Sequence, residues 1–165
     1  MNNPDYKLSF RPFELIIEVL ALTGIIYITY LVVLKYGMVP DKIPTNYNIS
    51  GEPDGWGNKS SLLLIYSVGL ILYVGLSVLS RYPHLYNYPV KITDKNIRIQ
   101  YLLGRSLINT LKLSLVSIFL VLIIAGINYN QDNNNLLMGG YFIYFAMGSI
   151  FIPILIYFVL SFKNK

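Results

Sequence analysis

Four long apolar runs, separated by short polar stretches, leave this chain few ways to fold. Leu15 to Leu34 holds one charged residue, Glu18, and Ser61 to Ser80 holds none; Leu107 to Ile127 holds Lys112 near its start, and Leu136 to Phe162 holds none. Each run reaches the roughly 20 residues needed to cross a hydrocarbon core of about 30 Å. Backbone polar groups must be satisfied internally in lipid, so uncharged runs of this length read as helices. A soluble helical core is excluded by supply: apolar residues make up 55% of the chain and charged residues 13%, against about a quarter charged in soluble domains. The reading is an all-α integral membrane protein, one domain over residues 1–165, with helices near 14–36, 61–80, 106–127 and 136–162 in an up-down bundle. Gly24, Gly69, Gly75, Ala125, Gly126, Ala146, Gly148 and Ser149 are the small residues through which such helices would touch. The first run contains Glu18 and no A-x-A site follows it, so it is read as retained rather than cleaved. There is no cysteine, which removes disulfide and thiolate chemistry.

Charge bias orients the bundle. Lys7, Arg11, Arg81, Lys91, Lys95, Arg98, Arg105, Lys163 and Lys165 fall on the side of the two termini; only Lys35, Lys42 and Lys59 fall on the other. The inside-positive rule then places both termini in the cytoplasm and the loop 37–60 outside. The net charge of +5 follows from membrane orientation, and nucleic-acid binding finds no basic soluble domain to support it. The cytoplasmic segment 81–105 reads as partly helical, capped by Thr93 or Asp94, with a helix from near Lys95 that can run into the third span. Arg98, Arg105 and Lys112 recur every seven residues on one face, while Ile97, Tyr101 and Ile108 share an apolar one. Lys95, Arg98 and Arg105 are read as a basic face that meets anionic headgroups, or else an acidic cytosolic partner.

Two charges lie inside the spans, and such residues are functional candidates by default. Glu18 and Lys112 enter from the same side to similar depth, so an ion pair is expected between them; snorkelling and an ion relay are the alternatives. His84 is the one histidine, and no catalytic triad, zinc set or phosphate-binding glycine loop is present. No cofactor and no metal is expected, although Asp41, Glu52, Asp54 and Asn48 could surround a hard cation. The outer loop is dense in residues that fix backbone angles: Pro40 and Pro44 stiffen its entry, Asn48 to Gly51 favours one turn and Pro53-Asp54-Gly55 another. Trp56 would sit at the membrane interface and Lys59 leads into the second span. A loop of this length is expected to fold on itself as a cap, with or without a recognition surface.

The segment Val39-Pro40-Asp41-Lys42-Ile43-Pro44, then Asn48, Gly51-Glu52-Pro53-Asp54-Gly55-Trp56-Gly57 and Lys59, resembles the signature of a bacterial membrane domain of unknown function (number 1648). Asn87-Tyr88-Pro89-Val90-Lys91-Ile92-Thr93 and Asn96 resemble that family's second stretch, so the likeness runs from about Leu15 to Lys112. Asn46 stands where the family usually has histidine, and the chain lacks the longer C-terminal region of SdpI-type immunity proteins, whose N-terminal part this domain forms. The resemblance implies protection against a secreted toxic peptide, and in the type case recruitment of a cytosolic regulator. The candidate ligand-binding residues are Pro40, Asp41, Pro44, Asn48, Gly51, Asp54, Trp56 and Lys59. Toxin immunity or signal reception through the outer loop, without catalysis, is the first reading. A transport component using Glu18 and Lys112 is the second, and a lipid or cell-wall precursor enzyme using Asp41, Glu52 or Asp54 the third.

Overall fold

The computed structural model describes residues 6, 8–9, 11–48, 50–128 and 139–165. Helix α1 spans Pro12–Lys35. Proline at its first position costs no hydrogen bond, because that N–H has no partner within a helix. The Glu14 carboxylate turns back to accept the Arg11 backbone N–H at 2.8 Å, satisfying a donor at the helix start. A 3-10 turn, Tyr36–Met38, ends the helix.

Strands β1 (Lys42–Tyr47) and β2 (Pro53–Asn58) follow and pair antiparallel, with Lys42 opposite Asn58, Pro44 opposite Trp56 and Tyr47 opposite Pro53. The expected all-α fold is corrected here, since the loop between the first two long helices is a two-stranded hairpin. Pro44 and Pro53 block a helix, and each is tolerated in a strand because both strands of a lone hairpin are edges. Pro53-Asp54-Gly55 lies in β2 and forms no second turn. Register shifts flank Asn46, where the strand bends away from ideal pairing.

Helix α2 spans Ser60–Leu79, and a 3-10 turn occupies Pro83–Leu85. Helix α3, Ile97–Ile127, begins inside the segment 81–105 and continues without a break through the apolar run. Its 31 residues rise about 46 Å at 1.5 Å each, longer than a hydrocarbon core of about 30 Å. The helix begins after Asn96, one turn later than a Thr93 or Asp94 cap requires, and the Thr93 carbonyl accepts the N–H groups of Asn96 and Ile97. Helix α4 spans Gly140–Lys163 with Pro153 inside it; the expected start at 136 falls outside the described residues.

Helix α3 is the hub and packs against α1, α2 and α4. Its core partners include Ala21, Ile25, Ile28 and Leu62, gathered around Val116 and Ile123. Close approach of α1 rests on Gly24, where an added Cβ would stand 2.6 Å from Val116 Cγ1. Gly75 meets nothing within 4 Å, so it is no contact residue. The start of α1, the end of α2, the start of α3 and the end of α4 meet at one end, through Glu14–Arg105, Ser77–Lys112 and Ser161–Gln100 contacts. The hairpin lies at the other end, with Ile43 buried in the same apolar cluster.

The outward faces are apolar. Val33 is 72% exposed, Ile71 69% and Leu155 63%, a surface that only lipid would cover along the length of four helices. All four helices are long and apolar enough to cross a membrane, and the chain is a multi-pass membrane protein.

Candidate functional site

The hairpin is fixed at both ends. At its base, Lys59 Nζ pairs with Asp41 at 2.8 Å, and the Lys59 backbone N–H bonds the Asp41 carbonyl at 2.9 Å. The same ammonium lies 5.7 Å from the centre of the Tyr36 ring, a cation–π distance. The bond to Lys59 holds the Asp41 carboxyl below its ordinary range and lifts the Lys59 ammonium above its own. At the tip, Asn48 Oδ1 accepts the Glu52 N–H, Asn48 Nδ2 reaches Glu52 Oε2 at 3.0 Å, and the Gly51 N–H bonds the Asn48 carbonyl. Gly51 has φ 83°, a left-handed angle that costs glycine little and other residues more.

Between base and tip the faces divide. Ile43, Pro44 and Gly51 turn inward, whereas Pro40, Asp54 and Trp56 are exposed. Under the strands a cavity of about 250 Å³ is lined by Ile43, Pro44, Tyr47, Leu62, Ile65 and Leu122, with other residues. The lining is mainly apolar, which suits one aliphatic or aromatic side chain. Asn46 packs over Gly55, whose added Cβ would meet its Nδ2 at 2.5 Å. The acids do not converge: Asp41 is held by Lys59 and Glu52 by Asn48. Among the described residues no three His, Cys, Asp or Glu side chains are grouped for a metal.

A second polar constellation lies along the seam of α1 and α3. Lys112 Nζ forms an ion pair with Glu18 and lies 3.2 Å from Ser77 Oγ, while the Tyr73 hydroxyl donates to Glu18 at 3.3 Å. The Lys112 side chain is fully buried, and Glu18 is 38% exposed. Nearer the end of the bundle, Arg105 Nε and Nη2 grip the two oxygens of Glu14 at 2.9 and 2.8 Å. Arg105 also donates to the Leu8 and Ser9 carbonyls. Arg105 therefore does not belong to an exposed basic face with Lys95 and Arg98. Its sevenfold spacing from Lys112 is real, but that face of α3 turns toward α1, where Glu14 and Glu18 neutralise the two cations. Lys95 and Arg98 remain exposed.

The segment before α3 is held on by tyrosines. Tyr88 stacks on Tyr101 at 5.4 Å and on Tyr86 at 6.0 Å, and both hydroxyls donate to carbonyls, Tyr86 to Leu79 and Tyr88 to Pro83. Burial pushes both hydroxyls well above the ordinary tyrosine range, so they stay neutral donors. Gly104 makes the stack possible, because a Cβ there would come within 2.9 Å of Tyr86. Asn96 ties the turn to the helix, accepting from the Thr93 N–H and donating to the Lys91 carbonyl. His84 packs edge-on against Tyr82. Gln100, fully buried, bonds the Ser161 and Asn164 carbonyls and accepts the Ser161 hydroxyl, and so docks the end of α4. Buried Asn109 Oδ1 has no hydrogen-bond partner among the described residues.

Glu14, Gln100 and the tyrosine stack were not foreseen as site residues. Glu14 carried a readable signal: it precedes Glu18 by one turn on α1, and Arg105 precedes Lys112 by two turns on α3.

The comparisons agree with the hairpin's prominence. Residues 23–70 match the model of a domain of unknown function, DUF1648, which spans the second half of α1, the hairpin and the first half of α2. A protein of Archaeoglobus fulgidus described as uncharacterized is 30% identical to this chain. The match covers 34% of this chain and 35% of that protein, so the likeness spans about a third of the relative's length. No solved structure matches.

Proposed function

We propose that this is an SdpI-like protein of a bacterial cell membrane, giving toxin immunity or receiving a signal by binding a secreted peptide or membrane-active compound at its outer hairpin. In this reading the helices form an up-down bundle with both termini in the cytoplasm. That arrangement is supported by the four helix ends gathered at one pole and by the nine basic residues on the terminal side against three on the other. One observation carries the reading. The hairpin is clamped at its base, closed at its tip, and sits over an apolar cavity of about 250 Å³ while Asp54 and Trp56 stay exposed. A cap needs only to cover helix ends. A preformed apolar pocket under a hairpin that also carries an exposed aromatic has the features of a ligand site.

In this mechanism no bond is broken. An apolar side chain of the ligand enters beneath the strands, Trp56 covers it, and Asp54 selects a cationic neighbour. A cytosolic regulator would meet the opposite pole near Lys95 and Arg98. The transport reading rests on Glu18 and Lys112, but these groups satisfy one another and Ser77 and Tyr73 complete the set. The enzyme reading is weakened by the separation of Asp41 from Glu52. A deletion strain and an Asp54→Asn/Trp56→Ala strain, challenged with secreted peptides of the same culture, test the proposal. Both strains should be sensitised while the variant protein stays folded in the membrane. A deletion strain no more sensitive than its parent overturns it.

A further inference from the structure

At the pole opposite the hairpin a cavity of about 670 Å³ opens between the residue before α1, the first turns of α3 and the end of α4. Arg11, Lys95, Arg98 and Lys165 line it, with Ile99 and Leu102 as its apolar wall. Arg98, Ile99 and Leu102 lie in the first turns of α3 and Lys95 in the turn just before it, so this one stretch supplies both charge and wall. Arg11 comes from another element. Its backbone N–H is bonded by the Glu14 carboxylate, and it lines the cavity from the N-terminal side of α1.

The electrostatics of this pocket differ from those of the neighbouring seam. There, each cation has its carboxylate. Here, no acidic side chain is among the lining residues, and Arg11, Lys95 and Arg98 form no ion pair among the described residues. Glu14, the nearest acid on α1, is committed to Arg105, and Asp94 is exposed and does not line the pocket. The start of α3 and the end of α4 both face the cavity, so their opposed dipoles offset one another and side-chain charge decides the sign. Four basic side chains over an apolar wall fit a phosphate anion that carries hydrocarbon.

We propose that this cavity binds a phosphate group, foremost the headgroup of an anionic phospholipid in the leaflet it faces. The guanidinium groups of Arg11 and Arg98 suit paired phosphate oxygens, Lys95 adds a third charge, and Ile99 and Leu102 take the first carbons of the acyl chains. The proposal rests on the membrane-bundle reading and does not depend on what the hairpin binds.

The test uses the full chain in detergent, incubated with equimolar phosphatidylglycerol and phosphatidylcholine, with retained lipid read by native mass spectrometry. Wild type should retain phosphatidylglycerol selectively. Lys95→Gln and Arg98→Gln should each weaken retention roughly fivefold and together about 25-fold, from the usual worth of a basic residue near an anionic surface. The control pair Arg81→Gln/Lys91→Gln, exposed at the same pole but outside the cavity, should retain it. Inorganic phosphate forms the second arm. Competition that depends on Arg98 assigns the site to phosphate generally, and absence of competition assigns it to the intact lipid; either result supports the shared chemistry. Equal retention of the two lipids by wild type overturns the proposal. So does loss in the control pair as large as in Lys95→Gln/Arg98→Gln, which would reduce the effect to net charge. An acidic polypeptide that needs Lys95 and Arg98 while lipid retention does not would overturn it too. A chain recovered without detergent would refute the membrane bundle itself.

Discussion

Two ion pairs join the same two helices, one turn apart on α1 and two on α3, and they are built for different purposes. In Glu14–Arg105 the fork of the guanidinium matches both carboxylate oxygens, the carbonyls of Leu8 and Ser9 take further N–H groups, and the side chains are 0% and 3% exposed. In Glu18–Lys112 a point charge replaces the fork. The cation is fully enclosed, the acid is 38% exposed, and the remaining partners are a serine and a tyrosine of α2. The first pair is complete on its own and fixes α1, α3 and the N-terminal segment. The second is shared among three helices and open on one side. Geometry, rather than the presence of a charge pair, separates a staple from a site that can respond to its surroundings.

The largest effect should come from breaking the staple. Arg105→Ala leaves Glu14 buried without its cation and should cost about 3–5 kcal/mol, the usual penalty for halving a buried pair. Arg105→Lys should fall between, because a single ammonium cannot reproduce two parallel bonds. Replacing both partners by apolar residues of similar size should recover much of the loss. Reversible unfolding in mixed micelles measures all three. A loss under 1 kcal/mol for Arg105→Ala would mean the two pairs do not differ in kind.

Glu18–Lys112 should show a smaller and asymmetric response. Glu18→Gln strands a fully enclosed ammonium beside Ser77 and the Tyr73 ring, whereas Lys112→Gln leaves a carboxylate that is already partly open and still bonded to Tyr73. Glu18→Gln should therefore be the more damaging, and the double change should lose less than the sum, with coupling of about 1–2 kcal/mol. Strictly additive losses would refute the coupling. Flux that disappears in Glu18→Gln while the protein remains folded would favour the transport reading.

The sequence disclosed these features unevenly, for physical reasons. Runs of 20 uncharged residues have one outcome in lipid, so the helices were legible. The meeting of Glu18 and Lys112 followed from equal depth, a one-dimensional quantity. Arg105 was misplaced because a seven-residue repeat reveals that residues share a face but not which way it turns; the missing datum was Glu14 across the seam. The hairpin was hidden for a different reason. Proline and glycine announce turns, and the strand pairing between Lys42 and Asn58 depends on which turns the chain takes, which local propensity does not decide. The tyrosine stack could not be read from spacing either, since Gly104 sits on a helix while Tyr86 and Tyr88 lie in the irregular segment before it.

The third ion pair, Asp41–Lys59, extends the comparison to water. Asp41 is 88% exposed, so the contact is worth little to overall stability, and its expected effect is confined to the hairpin's base. Its pH window follows from the direction of each shift. Asp41 titrates below its ordinary 3.8, so its contribution is present above that value and is lost as pH falls through the lower folded value. Lys59 titrates above its ordinary 10.5, so its contribution is present below that value and is lost as pH rises through the higher one. Trp56, the single tryptophan, lies in β2 two strand positions before Asn58 and reports on the clamp. Its fluorescence should stay constant from about pH 5 to 9 and change outside that range, and Asp41→Asn should abolish the acid-side change without altering the helix content. Salt should weaken this pair, which lies in water, and leave Glu14–Arg105 untouched. An acid-side change that persists in Asp41→Asn would assign it to another carboxylate of the hairpin, Glu52 or Asp54, and not to the clamp.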